Sequence, residues 1–234
     1  MDLKRKLEYV RSRIAAACSR AGRSPGDVTL VVVTKTVGRE TIDELISLGV
    51  RDFGENRVQD AAAKFTEGLP ADLRLHMIGH LQTNKARQAV RLASMIHSID
   101  SLRLAEAVSR EAAAAGKTAP VLLEVNVSGE ESKYGFDAES AMQAAPQVAA
   151  LPGLRLGGLM TMAPLGAGEA ELRAVFGGLR KLAGRISVEC GLPMPHLSMG
   201  MSQDYETAIE EGATIIRVGT AIVGSASHGA SMSR

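Results

Sequence analysis

The chain has 234 residues, of which 45% are hydrophobic but only 3% aromatic, so a sizeable core must be built from aliphatic side chains and Met. The formal net charge of +1 gives no electrostatic case for nucleic acid or an anionic membrane as a partner. Cys18 and Cys190 lack metal-ligand spacing, and no apolar run is long enough to span a membrane, so we expect free thiols and a cytoplasmic protein.

Helical and strand-like patterns alternate along the chain. The spacing of Leu3, Leu7, Val10 and Ile14 predicts an N-terminal helix over residues 2–22. Seven further helices are predicted at 42–49, 58–65, 85–93, 102–115, 138–149, 169–190 and 204–211. Eight strands are predicted at 29–35, 50–53, 73–78, 95–99, 120–127, 154–160, 196–199 and 214–218.

This alternation predicts the fold class. Strands separated by helices pair in parallel through right-handed crossovers. Eight such units in a chain of this size predict a single α/β domain, a (β/α)8 TIM barrel over residues 1–224 with an extra N-terminal helix. An open doubly wound sheet is the alternative, but no glycine fingerprint follows the first strand. Residues 225–234 are expected to form a disordered tail.

The first predicted strand ends in a lysine. The run 29–35 is apolar and β-branched without polar alternation, which is typical of a strand buried on both faces. A lysine at its end is expected to be desolvated, which favours the neutral amine, so Lys35 is a candidate Schiff-base nucleophile. The alternative is a lysine whose ammonium extends to the solvent at the rim of the sheet.

Two turns after the last strands have the composition of a phosphate site. Gly219 and Thr220 follow the eighth strand, and the Ser/Gly/Met turn 198–202 follows the seventh. Backbone N–H groups and hydroxyls at such junctions bind phosphate in many barrels, although each turn alone is ordinary loop chemistry. Arg217 lies within the last apolar strand, where it must either pair with a carboxylate such as Glu124 or face a ligand.

The histidines do not indicate a metal site. His76 and His80 are four residues apart but fall on a strand and its loop rather than on one helical face, which argues against a zinc pair. His97 and His196 occupy strand positions and are interpreted as hydrogen-bonded core or rim residues.

Ordered segments along most of the chain carry a family resemblance. They are VVTKT (32–36), FGEN (53–56), HMIGHLQTNK (76–85), HSID (97–100), EVNVSGEESK (124–133), GLMTMAP (158–164), LSMGMS (197–202) and RVGTAI (217–222). From about residue 3 to residue 224 the chain resembles the pyridoxal 5′-phosphate (PLP) homeostasis protein family, whose fold is like the N-terminal barrel of alanine racemase (PLP fold type III).

The resemblance implies a cofactor and its binding residues. Lys35 matches the lysine that holds PLP as an internal aldimine, and Asn56 matches a residue beside the ring. Arg217 matches the arginine that faces the pyridine nitrogen; because a guanidinium retains its proton, the ring nitrogen stays unprotonated and PLP is a weak electron sink. The phosphate cradle is matched by Ser198, Ser202, Gly219 and Thr220.

The chain also departs from the family pattern. Val37 and Gly38 stand where family members often carry a lysine and a proline, which puts in doubt a second PLP-exchange site attributed to such lysines. Lys133 is kept, but Tyr134 follows it where the residue is usually small.

The resemblance implies a non-catalytic PLP carrier, without catalytic residues, that supplies PLP-dependent apo-enzymes; we expect it to be monomeric. The first alternative is a PLP-dependent amino-acid racemase, which needs acid/base groups on both faces of the substrate carbanion. The second is a cofactor-free Schiff-base aldolase, with the phosphate cradle holding a sugar phosphate.

Overall fold

The computed structural model describes residues 2–65, 68–130 and 134–224. Within these residues eight parallel strands pair in chain order and close into a barrel, because the last strand pairs with the first. The predicted TIM barrel is confirmed. The strands are β1 (Thr29–Val33), β2 (Asp52–Glu55), β3 (Arg74–Met77), β4 (Met95–Ile99), β5 (Ala119–Glu124), β6 (Leu154–Met160), β7 (His196–Ser198) and β8 (Ile215–Val218).

Helices surround the barrel, each following a strand except the first. In the described residues they are α1 (Leu3–Arg20), α2 (Arg39–Ser47), α3 (Val58–Lys64), α4 (Ala86–Leu92), α5 (Leu102–Ala114), α6 (Ala138–Ala149), α7 (Glu169–Cys190), α8 (Tyr205–Glu210) and α9 (Thr220–Val223). Short 3-10 turns lie at Pro25–Asp27 and Thr83–Lys85.

The predicted N-terminal helix is confirmed as α1. It begins at Asp2, whose carboxylate accepts a hydrogen bond from the Arg5 backbone N–H at 2.8 Å. Its apolar face is buried, and it packs against α8 and α9. Arg13 donates to Glu206 of α8 through two nitrogens at 2.8 Å, which fixes the helix on the barrel.

Several strand ends differ from the sequence prediction. β1 ends at Val33, two residues before Lys35, because the chain turns there and the Val37 N–H donates to the Thr34 carbonyl at 3.1 Å. β5 ends at Glu124 rather than at residue 127. The second strand lies at 52–55 instead of 50–53.

The apolar core is divided by the sheet. Most buried apolar side chains lie between the helices and the outer face of the barrel. A small second cluster of Val31, Leu122, Met160 and Ile215 lies apart from it. Close strand packing requires glycine at position 158, where φ is +155° and a Cβ would overlap the His196 carbonyl.

In the described part of the chain, no helix is both long and apolar enough to cross a bilayer. The same residues contain no group of three or more His, Cys, Asp or Glu that could hold a metal ion. Cys18 is a buried free thiol and Cys190 is a partly buried one.

Candidate functional site

A cavity of about 590 Å³ opens at the carboxyl ends of the barrel strands, a size typical of small-molecule sites. This is the end of a TIM barrel at which the βα loops bring side chains from separate strands together. The cavity gathers all the predicted site residues except Ser198: it is lined by Lys35, Asn56, Ser202, Arg217, Gly219 and Thr220.

Lys35 lies in the turn after β1 and is exposed on the cavity wall. The expectation that it is desolvated is wrong, because the strand ends before it and the lysine extends from the turn instead of the buried ladder. The preceding residue is held firmly: the buried Thr34 hydroxyl donates to Glu55 at 2.6 Å. Lys64 donates to the same Glu55 oxygen at 3.1 Å and to the Thr34 carbonyl at 2.9 Å. This buried ion pair fixes the point from which Lys35 projects.

The turns after β7 and β8 meet at Ser202. Its hydroxyl oxygen accepts hydrogen bonds from the backbone N–H of Gly219 at 3.2 Å and of Ala221 at 3.3 Å, at the start of α9. A Cβ at position 219 would come within 3.3 Å of the Val33 Cβ, so glycine allows the two strand ends to approach. Backbone N–H groups and hydroxyls at a helix start form a suitable cradle for a phosphate group.

Arg217 is only 4% exposed but reaches the cavity from β8. Its guanidinium donates to the Ser198 hydroxyl at 2.6 Å and to the Thr161 carbonyl at 2.9 Å. These hydrogen-bond partners are a hydroxyl and a carbonyl, and not the Glu124 carboxylate that the ion-pair alternative named. Burial lowers the pKa of Arg217 to about 10, and the charges of Asp204 and Glu124 oppose that change. The guanidinium is still charged at neutral pH.

Ser198 differs from its expected position in the phosphate cradle. It is fully buried at the end of β7, and its hydroxyl contacts Arg217 and His97 instead of the cavity. Because a guanidinium only donates, the Ser198 oxygen accepts from Arg217, and His97 Nδ1 lies within hydrogen-bond distance of the same oxygen at 2.8 Å. Ser198 supports the arginine beneath the cavity, whereas Ser202 lies at the cavity itself.

This hydrogen-bond chain continues through the barrel. His97 Nε2 is hydrogen-bonded to His76 Nδ1 at 2.9 Å, and His76 Nε2 is hydrogen-bonded to Asp52 at 3.1 Å. Burial holds the pKa of His97 well below its usual range. Burial alone would raise the pKa of Asp52, but hydrogen bonds from Arg74 and His76 bring it down to about 2. The predicted core role of His97 is confirmed.

Glu124 ends β5 and faces the cavity while only 4% exposed. Its Oε2 atom is buried and has no hydrogen-bond partner within residues 2–65, 68–130 and 134–224. Burial raises the pKa of Glu124 to about 7, the charge of Asp100 adds to the rise, and that of Arg217 opposes it. Sequence reasoning considered Glu124 only as a partner for Arg217.

The rim of the cavity carries residues that the sequence analysis did not assign to it. His80 stacks on Tyr134 with ring centroids 4.0 Å apart, and its Nδ1–H donates to the Asp100 carboxylate at 2.9 Å. Leu165, on the same rim, is 90% exposed. The position of His80 just after a predicted strand could have placed it on the cavity rim. Nothing in the sequence indicated its stacking on Tyr134.

The positions that depart from the family pattern lie beside the site. Val37 belongs to the turn after Lys35, and Gly38 is the N-cap residue of α2. His196 begins β7 and is half-buried. Lys133 and the predicted tail 225–234 lie outside the described residues.

The fold and site define a barrel of the alanine racemase N-terminal class: the family model described as alanine racemase, N-terminal domain, matches residues 6–227. Alanine racemase from Clostridium difficile 630 superposes with a TM-score of 0.76 at 16% identity, covering 94% of this chain and 56% of that chain, a likeness of fold alone. The pyridoxal phosphate homeostasis protein of Aquifex aeolicus is 40% identical over 224 residues, covering 96% of this chain and 98% of that protein. The chain belongs to the pyridoxal phosphate homeostasis protein family, as its sequence resemblance indicated.

A solved relative supports the same assignment. PipY of Synechococcus elongatus PCC7942, in a structure described with PLP bound, is 38% identical with a TM-score of 0.85. The match covers 94% of this chain and 99% of that one.

Proposed function

We propose that this protein binds PLP in the barrel cavity through Lys35 and carries it without turnover as part of PLP homeostasis. The observation that carries the proposal is the convergence of an accessible lysine, a buried arginine and a phosphate cradle on one cavity of about 590 Å³. The names of the relatives and the PLP-bound PipY structure support it.

The donor set fits the cofactor. When bound, PLP supplies an aldehyde that condenses with an amine and a phosphate that needs hydrogen-bond donors. Lys35 presents the amine from the turn after β1. Ser202, Gly219 and Thr220 line the cavity at the neighbouring strand ends, where their hydroxyl and backbone N–H groups would hold the phosphate. Asn56 lines the same cavity and would lie beside the ring. Glycine at position 79 allows the Asn56 backbone to approach, since a Cβ there would lie 2.5 Å from the Asn56 carbonyl oxygen.

Arg217 makes the site suited to carriage more than to carbanion chemistry. Its guanidinium is charged at neutral pH and keeps its protons when it donates a hydrogen bond to a pyridine nitrogen. A ring beside it therefore stays unprotonated at that nitrogen and is a poor electron sink. The hydrogen bonds to Ser198 and Thr161 orient that donor before any ligand arrives.

The racemase alternative is not favoured. Racemization needs an acid or base on each face of the reacting carbon. Tyr134 is 58% exposed and stacked on His80 at the rim, and Tyr205 is buried at the start of α8 against the outer helices. Tyr205 does not line the cavity, and Tyr134, which does, is held by its stacking on His80 at the exposed rim.

We further infer that the recipients of the cofactor are PLP-dependent apo-enzymes and that the carrier is a cytoplasmic monomer. The family name supports the first inference. The free thiols of Cys18 and Cys190 support a reducing compartment.

Absorption spectroscopy tests the proposal. Adding PLP to the purified protein should produce a near-visible band that borohydride abolishes, and Lys35→Ala should lack the band. Lys181→Ala, at an exposed position on α7, serves as the matched control and should keep it. A wild-type protein without the band, or a band that survives in Lys35→Ala, would contradict the proposal. Turnover of added D- or L-alanine would contradict carriage without catalysis.

A further inference from the structure

Glu124 is a buried acid that has no part in the PLP-binding roles proposed above. It faces the cavity, yet Oε2 has no hydrogen-bond partner among the described residues and the residue is only 4% exposed. A buried carboxyl oxygen left unpaired costs free energy, so such an atom in a ligand cavity points to a partner supplied by the ligand.

The barrel order determines which end of the ligand Glu124 meets. β5 is four strands from β1 around an eight-stranded ring, so Glu124 lies across the mouth from the turn that carries Lys35. The cradle at Ser202 and Gly219 follows β7 and β8, next to β1. The cradle strands are two and three places from β5 in the barrel, so a ligand whose phosphate lies in the cradle would turn its ring-side polar atoms toward Glu124.

We propose that Glu124 contacts the bound cofactor in its protonated form, donating a hydrogen bond to a ring-side oxygen, so that PLP binding above neutral pH takes up one proton at this residue. The proposal rests on the proposed function. The proton comes from solvent, and no covalent bond at Glu124 forms or breaks.

The surrounding charges favour this protonation. Asp100, after β4, repels an ionised Glu124, whereas Arg217 attracts it but already donates to Ser198 and Thr161. An incoming phosphate ester adds negative charge to the same enclosed space, which further disfavours the carboxylate. The ionisable groups facing this cavity from other elements are Lys35 after β1, His80 after β3, Tyr134 after β5 and Asp204 after β7.

In the protein without cofactor, Glu124 is ionised above neutral pH and can therefore take up a proton when the cofactor binds. Burial brings the pKa of Glu124 to about 7, so the acid is mostly ionised at pH 8 and mostly protonated at pH 6 before the cofactor binds. Linkage then requires the affinity for PLP to fall by up to tenfold per pH unit above neutrality through this residue alone.

The test is the dissociation constant of PLP for wild type and Glu124→Gln from pH 6 to pH 8.5. The amide has the same shape and a permanent donor, so the proposal expects nearly equal affinities at pH 6 and about tenfold tighter binding by the variant at pH 8. Ionisation of Lys35 and of PLP itself affects both proteins and cancels in the ratio. Glu139→Gln, at an exposed position on α6, should track wild type throughout.

A second measurement keeps the proposal testable if the amide variant does not fold. Calorimetric titration of wild type in buffers of different ionisation enthalpy counts protons, and Glu124→Leu supplies a reference without an acid. At pH 8 wild type should take up about one proton more than the reference. A pH-independent affinity ratio, or equal proton counts, would overturn the role of Glu124. If wild type binds no PLP at any pH, the proposed function fails instead.

Discussion

Replacing Glu124 by Gln should stabilise the unliganded protein in a pH-dependent way. The carboxyl ionises at an ordinary pKa of 4.5 in the unfolded chain, but burial raises the pKa to about 7 in the folded protein. The folded state therefore binds the proton more tightly than the unfolded chain does. The free energy of unfolding must fall as the pH rises from about 4.5 to about 7, because ionisation then favours the unfolded chain.

The size of this effect follows from the two pKa values. One pKa unit corresponds to about 1.4 kcal/mol, so the full loss is about 3 kcal/mol. Of this loss in wild-type stability, about 2.5 kcal/mol falls between pH 5 and pH 8. Glu124→Gln has no ionisable group at this position, so its stability relative to wild type should increase by about that amount over this range.

Urea unfolding at pH 5, 6, 7 and 8 measures the change directly. Titration of the other groups occurs in both proteins and cancels in the difference, and Glu139→Gln should give a difference independent of pH. If the stability difference between Glu124→Gln and wild type is the same at all four pH values, Glu124 does not titrate near neutrality and the reasoning about its burial is wrong.

Two further substitutions test the parts of the fold that position the site. Gly158→Ala should destabilise the protein by about 3 kcal/mol or more in urea unfolding, because the added Cβ would overlap the His196 carbonyl. Its control, Gly184→Ala in the open middle of α7, should stabilise the protein by up to about 1 kcal/mol. Equal effects of the two substitutions would contradict the packing described. Lys64→Met should cost about 3–5 kcal/mol in the same assay by leaving the buried Glu55 carboxylate without its cation. A loss no larger than that of the same substitution at an exposed lysine would show that this ion pair does not hold the strand end.

The sequence was sufficient to predict the fold because its strand runs, helical periodicity and chain breaks all indicate the same βα repeat. Apolar strand runs alternate with helical periodicity, and Gly or Ser-Pro-Gly breaks separate them, so eight βα units could be counted directly. Helices with clear caps and long periodic faces, such as α6 and α7, were predicted at their observed bounds. Strand ends were less well defined, since a run such as 29–35 does not reveal that the chain turns at Thr34.

The site was predicted in residue identity better than in geometry. Ser198 and Ser202 occur in the same small turn, and only the strand register decides that the first lies inside the barrel under Arg217 while the second meets the cavity. Likewise, the sequence identified Arg217 and Glu124 as inward-facing charges, but their partners depend on distances across the barrel. The hydrogen-bond chain through His97 joins strands that are far apart in sequence, so no local pattern could have indicated it.

The most direct test of the central claim is to locate the covalent attachment of PLP. The protein is incubated with PLP, reduced with borohydride and digested with trypsin. We expect the pyridoxyl group on a peptide spanning residues 24–39 that trypsin has failed to cleave after the modified Lys35. Recovery of the label mainly on other lysines, or no label on this peptide at saturating PLP, would contradict the assignment of Lys35 and of the cavity around it.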